Sequence, residues 1–381
     1  MSEKFRSSTH PLLPPTTEDD RLAWLRLLRS RRVGVATFYR LMAEHGSAQA
    51  ALLALPEVAA AAGLSKYTVC PEAVIHAEMR AGAMAGAKLV CRGEPAYPVA
   101  LCDLPDAPPV LWLRGDASLL RRPLVALVGA RNASSLGLRM ARAMARDLGR
   151  AGYVVVSGLA RGVDTEAHKA ALDTGTVAVF GGGVNVIYPS ENTQLAEDIM
   201  ARGLTLSEQP MGLSPQARHF PARNRIISGL ARAVVVIEAA SKSGSLITAR
   251  TALDQGREVL AVPGHPFDAR AGGCNMLIRD GAHLVRSAED VIEALPQMHD
   301  PAQPDLPLPP VPAAPPHRRS LAETAALHGR ILSRLGPSPL AEDQLIRDLA
   351  TPAARVSPAL VDLELDGKIT RQPGGLLSLS V

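Results

Sequence analysis

Between Leu124 and Val285 the chain repeats one alternation: short runs apolar at nearly every position, each followed by a small-residue turn and a stretch of helical period. The runs are Leu124–Val128, Tyr153–Val156, Val177–Phe180, Leu204–Leu206, Ala233–Ile237, Glu258–Val262 and His283–Val285. A strand apolar at odd and even positions alike has both faces covered, which is the condition of a parallel sheet with helices on each side. The intervening segments supply those helices. Ser135–Ala151 places Arg139, Arg142, Arg146 and Arg150 on a polar face, and Thr165–Leu172 forms a shorter one. The expected fold is therefore α/β, a doubly wound Rossmann-like parallel sheet. Such sheets bind ligands beyond the carboxyl ends of their strands, where this chain keeps its glycine- and serine-rich turns.

A length of 381 residues requires more than one domain, and 47% hydrophobic content is enough to give each a core. Residues 1–20 read as a disordered lead. Residues 21–87 form an alanine-rich helical domain of helix-hairpin-helix or SAM-like type, with Gly34 at the hairpin and Ala36 where a second glycine is usual. The central domain spans 88–295 and opens with a proline-rich connecting segment, 88–120. Nine prolines make 296–320 a semi-rigid linker. Residues 321–381 show three helical stretches and a hairpin, the pattern of a winged helix. Its recognition helix near Val356–Leu365 is acidic (Asp362, Glu364, Asp366), so contact with protein, or weak contact with DNA, is expected there. The four cysteines (Cys70, Cys91, Cys102, Cys274) are scattered, with neither disulfide nor zinc spacing. With no apolar run of membrane-spanning length and no signal-peptide core, the chain reads as cytoplasmic.

Charge singles out the centre. The whole chain carries +4, while residues 121–290 alone carry +5. Four turns there follow strands: Gly129-Ala-Arg131-Asn132, Ser157-Gly158-Leu-Ala-Arg161-Gly162, Gly181-Gly182-Gly183 and Ser241-Lys242-Ser243-Gly244-Ser245. Glycines allow close backbone approach, and free N–H groups, hydroxyls and cations bind phosphate. Phe220-Pro221-Ala222-Arg223-Asn224-Arg225 adds an aromatic among cations; read as a loop, it offers a base-stacking face beside phosphate contacts. Asp164 and His168, four apart, read either as an acid-base pair on one helix face or, more commonly for such spacing, as a structural hydrogen bond at a helix start. There is no Walker-type P-loop, nucleophile elbow, metal cluster or paired carboxylate, and Arg131 stands where a dinucleotide fold needs its second glycine.

In order and density these motifs resemble the DNA-processing protein A (DprA/Smf) family. The residues that carry the resemblance are Val128–Arg131, Val156–Asp164 with His168, Tyr188-Pro189 with Asn192, Ser207-Glu208, Phe220–Arg225, Ser243–Ala249 and Ala261–Gly264. The resemblance implies binding of single-stranded DNA without sequence preference, and loading of the recombinase RecA onto it in natural transformation or recombination. It implies a homodimer formed through the Rossmann-like domain, no cofactor and no chemical step. Carried over by position, the DNA contacts are Arg131, Phe220, Arg223, Arg225 and Lys242–Ser245; Ala130 stands where Ser or Thr is commoner. The alternative is a nucleotide-cleaving phosphoribohydrolase on a related sheet. Those enzymes need a glutamate just after the glycine turn, and here Ser243–Arg250 has no carboxylate before Asp254.

Removing residues 296–381 is expected to leave single-strand affinity within about tenfold, or 1.4 kcal/mol, because the tail carries net negative charge and folds beyond a linker. Titration of the truncated and full chains with one labelled oligonucleotide checks this.

Overall fold

The computed structural model describes residues 12–63, 66–295, 321–336, 339–372 and 376–379, in two compact units, Met1–Gln297 and Met298–Val381. The segment expected as a linker and residues 1–11 of the expected lead lie outside the described residues. The rest of that lead is ordered. Leu12 packs against the helical core, and Thr17 caps the first helix in a box with Asp20, so α1 begins at Glu18, three residues before the expected boundary.

The first unit opens with α1 (Glu18–Arg29), α2 (Val35–His45), α3 (Ala48–Ala61) and α4 (Glu72–Met84). Then follow β1 (Lys88–Cys91), α5 (Val99–Cys102), β2 (Val110–Gly115), β3 (Leu124–Val128), α6 (Ser135–Arg150), β4 (Val154–Ser157), α7 (Val163–Ala171) and β5 (Thr176–Val179). The chain continues through α8 (Thr193–Arg202), β6 (Leu204–Ser207), α9 (His219–Leu230), β7 (Ala233–Val236), α10 (Ser245–Asp254), β8 (Glu258–Ala261), α11 (Gly272–Arg279), β9 (His283–Leu284) and α12 (Ala288–Ala294).

The nine strands form one sheet in the order β1-β2-β6-β5-β4-β3-β7-β8-β9. From β6 to β9 every pairing is parallel. The chain winds outward from β3 to β6, then returns to β3's other side with β7. The topological switch therefore lies between β3 and β7, and a crevice must open above their carboxyl ends. Alternation along β3 divides the core: Val125 and Leu127 pack with α6, α7 and α12, whereas Leu124, Ala126 and Val128 pack with α9 and α10. Nearly all strand residues are buried, as their unbroken apolar character requires.

One expectation is corrected. Residues 88–120 are not only a connection. Their prolines punctuate two strands, β1 and β2, which pair antiparallel with each other and with β6 and extend the sheet at its edge. Val110–Leu113 is fully apolar, and its contact with the helices explains why: Trp112 leaves the sheet to enter the core of α1–α4. A Cβ on Gly82 would lie 2.4 Å from the Trp112 ring, so α4 approaches only because that position is bare. The indole N–H donates to Glu78 at 2.9 Å, and Glu78 accepts two further bonds from Arg29, at 2.9 and 3.0 Å.

The second unit contains α13 (Leu321–Arg334), β10 (Leu340–Ala341), α14 (Glu342–Leu349), α15 (Ala353–Leu365), β11 (Ile369–Gln372) and β12 (Leu376–Leu379). Its three strands pair in the order β10-β12-β11 around a core of Ile331, Leu345, Val356, Leu360 and Leu377. This is a winged helix, and the expected recognition helix falls within α15. Among the described residues no helix is long and apolar enough to cross a membrane.

Glu78→Ala is expected to cost about 3–5 kcal/mol, because it strands a buried guanidinium and an indole N–H together. Urea unfolding monitored by tryptophan fluorescence measures the loss, and Glu78→Gln should recover part of it.

Candidate nucleic-acid interface

A cleft of about 1180 Å³ opens above the switch point. One wall is the turn after β3. A Cβ on Gly129 would stand 2.6 Å from Val163 and 3.0 Å from the Glu238 carbonyl, so only glycine lets the turn lie this low. The Ala130 N–H donates to that carbonyl at 2.7 Å, which leaves Arg131 and Asn132 exposed at the rim. The opposite wall is Lys242–Ser245, where α10 begins; the Ser243 and Ser245 hydroxyls stand 2.7 Å apart. Phe220, Pro221, Asn224 and Ile227, on one face of α9, close the third side. Arg131 and Lys242 have no carboxylate partner among the described residues, so their charge is available to a polyanion.

The site differs from its expected form at six positions, with a physical reason for each. Ser157 is wholly buried, and its hydroxyl donates to the Leu127 carbonyl. The turn that follows is not an open phosphate nest. The Gly158 and Ala160 N–H groups both donate to Asp164, and the Leu159 N–H donates to His168. Gly158 is also roofed by Arg223, whose guanidinium leaves no room for a Cβ. Gly182 lies beneath the 210–215 segment, where a Cβ would be 2.5 Å from the Leu213 carbonyl, so its turn serves packing. The stretch expected as a cationic loop is the first turns of helix α9, which separates its two arginines. Residues two apart on a helix point about 200° apart. Arg223 turns into the cleft floor, 6% exposed, and Arg225 turns away to pair with Glu208 at 2.5 Å and Asp106 at 3.4 Å. Phe220 is accordingly a helical residue whose ring is half-buried. Arg161 remains exposed in a recess adjoining the cleft, 3.5 Å from Glu191.

The floor is electrostatically committed. Arg223 donates to the Val179 carbonyl at 2.6 Å. Burial is the largest influence on its guanidinium, which is pushed down to about 10, with Arg131 acting in the same sense and Asp164 opposing. Burial likewise pushes Asp164 up, against the pull of Arg223 and its two backbone donors. Buried charges of this kind persist only when paired.

Sequence reasoning missed Glu238. Its carboxylate accepts from the Ser134 backbone and hydroxyl at the start of α6, and a Cβ on Gly137 would meet it at 2.6 Å. Dinucleotide folds bring the pyrophosphate to the N-terminus of the helix after the first strand. Here a side-chain carboxylate already occupies the corresponding position, and the open part of the cleft lies toward α9 and α10. The signal was an acid ending an otherwise apolar run. Tyr188 and Arg270 also line the cleft; the sequence had marked Tyr188 only as a motif residue and had not singled out Arg270.

Comparison with known proteins agrees with this fold. The family model described as DNA recombination-mediator protein A matches residues 88–296, a DprA-like N-terminal HHH domain matches 18–81, and a DprA winged helix domain matches 314–375. The DNA processing protein DprA of Bacillus subtilis is 46% identical over 204 residues, covering 53% of this chain and 69% of the relative. Protein Smf of Escherichia coli is 38% identical over 287 residues, covering 74% and 75%. Among solved structures, DNA processing protein A of Streptococcus pneumoniae superposes with a TM-score of 0.55 at 34% identity, covering 70% of this chain and 99% of that one. The Helicobacter pylori protein, solved for its single-stranded DNA binding mode, gives 0.51 at 30% identity, covering 54% and 94%.

His168 sets a pH limit on the loop that frames the cleft. The Thr176 hydroxyl donates to the Val155 carbonyl, so it accepts from His168 Nδ1–H, and Nε2 is left to accept from Leu159. Only the neutral ring satisfies both contacts. Burial first, then Arg223, lowers its pKa from 6.5 to about 3. The unfolded chain therefore binds more protons between those values. The stability contributed is complete above pH 6.5 and is lost as pH falls toward 3, at up to about 1.4 kcal/mol per unit. His168→Gln should flatten the slope of unfolding free energy against pH in that window; an unchanged slope would contradict this assignment.

Proposed function

The chain belongs to the DNA recombination-mediator protein A family, and from that premise we propose that its cleft holds single-stranded DNA without sequence preference, so that the protein can load RecA onto the strand. The observation that carries this reading is the meeting of two unpaired cations, Arg131 and Lys242, with paired serine hydroxyls and an aromatic wall, all at the switch point. These groups address phosphates and ring faces, which every nucleotide has. A cleft of this volume takes several nucleotides rather than one. Gly129, Asn132, Asn224, Ser243, Gly244 and Ser245 line it with them, Arg223 forms its floor, and Gly158 and Arg161 border the adjoining recess.

Binding without a chemical step suits the carboxylates. Asp164, the one acid among the described residues lining the cleft, is buried and engaged by two N–H groups and Arg223. A phosphoribohydrolase would need an acid free to reach ribose beyond the glycine turn, where this chain has Ser243–Arg250. In this reading the protein acts in the cytoplasm as a homodimer through its Rossmann-like domain, in natural transformation or related recombination, with no cofactor.

Electrophoretic titration of the whole chain with single- and double-stranded oligonucleotides tests the proposal. Single strands should bind more tightly, with affinity falling by a log–log salt slope of about −0.7 per phosphate contact. Arg131→Glu and Lys242→Glu should each weaken binding at least tenfold and make the slope shallower, with unchanged thermal stability. Preference for duplex, or affinity indifferent to salt, would overturn it. Arg225→Glu should instead lower stability, since it sets a second acid against buried Glu208.

A further inference from the structure

The aromatic wall of the cleft has an outer member to which the reading above gives no role. Phe220 does not stand free. Its ring lies over Gly181, where an added Cβ would come within 3.2 Å, and the Arg131 guanidinium sits above it, 5.4 Å from the centroid. Tyr188 leans on it with centroids 5.6 Å apart and planes inclined by 39°. Three neighbours therefore already cover Phe220, whereas Tyr188 is 50% exposed. An exposed aromatic packed on a second ring is held in place without its outer face being used. Trp24, Phe38, Tyr97 and Trp112 are buried in the core, and Phe267, 95% exposed, does not line the cleft.

We propose that Tyr188 is the stacking platform that receives an unpaired nucleobase, with Phe220 as the ring that supports it. The surrounding charges fit this role. Tyr188 borders both the main cleft and the recess lined by Arg131 and Arg161, so a base lying on its outer face has a cation toward each side for the flanking phosphates. Arg161 is free to serve, because its pairing with Glu191 is long and both side chains are more than half exposed. Phe220 then acts as a positioning residue, and Arg131 has two tasks, to cover Phe220 and to meet phosphate. Every base presents a π-face, so the contact adds affinity without adding sequence preference.

The inference rests on the single-strand reading, and the test separates the two. The full chain and its Tyr188→Ala, Tyr188→Phe and Tyr188→Trp variants are titrated with an oligodeoxythymidylate and with an abasic oligomer of equal length. Stacking predicts that Tyr188→Ala loses about tenfold or more on the thymidine oligomer, loses nothing on the abasic one, and keeps the wild-type salt slope. Tyr188→Phe should bind like wild type. In Tyr188→Trp the new indole is the exposed one, since Trp24 and Trp112 are 3% and 1% exposed, and its fluorescence should be quenched by the thymidine oligomer. Equal losses of Tyr188→Ala on both oligomers would make Tyr188 a mere support and overturn the proposal, as would wild-type affinity in that variant. Failure of the wild type to bind the thymidine oligomer would overturn the functional reading and this proposal with it.

Discussion

The Asp164 carboxylate, buried under the turn that follows β4, is the interaction on which the cleft depends. Two N–H groups of that turn converge on one of its oxygens, and the positive charge of Arg223 acts on it from α9 without an ion-pair contact. Arg223 in turn donates to the end of β5. Asp164 and Arg223 thus tie the ends of β4 and β5 to α7 and α9 beneath the cleft, one through backbone N–H groups and the other through a carbonyl. Burial pushes the carboxyl up and the guanidinium down, so each depends on the hydrogen bonds that it makes here. Asn192 reinforces the turn from outside the pair, donating to the Leu159 carbonyl and to Thr165.

These commitments decide which polar groups stay open. Glycine turns at strand ends are general anion sites only while their N–H groups are free. In this protein the N–H groups after β4 are spent on Asp164 and His168, the start of α6 is met by Glu238, and the glycines after β5 are buried by packing. What remains open is one side of the crevice, from Arg131 to Lys242, with the aromatic pair between. Two exposed cations and one exposed ring face suit a flexible strand, whereas a site focused on a single helix N-terminus suits one pyrophosphate.

The helical module contributes to the same surface at a distance. Arg29 bridges buried Glu78 in α4, and its guanidinium lies 3.5 Å from the carbonyl of Glu208, the residue that pairs with Arg225 on α9. The module is thereby fastened to the helix that carries Phe220, Arg223 and Asn224. Arg225 is a structural cation in this arrangement, and its charge is offset by Glu208 and Asp106 before any ligand arrives.

Much of this was legible in the chain. Periodicity alone identified the parallel strands from Leu124 to Leu284, because full burial on both faces demands apolar residues at every position. Turn chemistry, which is local, marked Gly129, Arg131 and Lys242–Ser245, and these residues line the cleft. What the sequence could not decide was the direction of side chains whose environment is assembled from distant segments. Arg223 and Arg225 look alike in a row of six residues, and only the helical phase of α9 sends one to the cleft and the other to Glu208. The turns at Ser157–Gly162 and Gly181–Gly183 look like phosphate loops. Whether an N–H is free depends on whether a carboxylate or another chain segment has already reached it. Strands and turns follow from the chemistry of neighbours along the chain. The availability of a charge, an N–H group or a ring face is settled by neighbours in space.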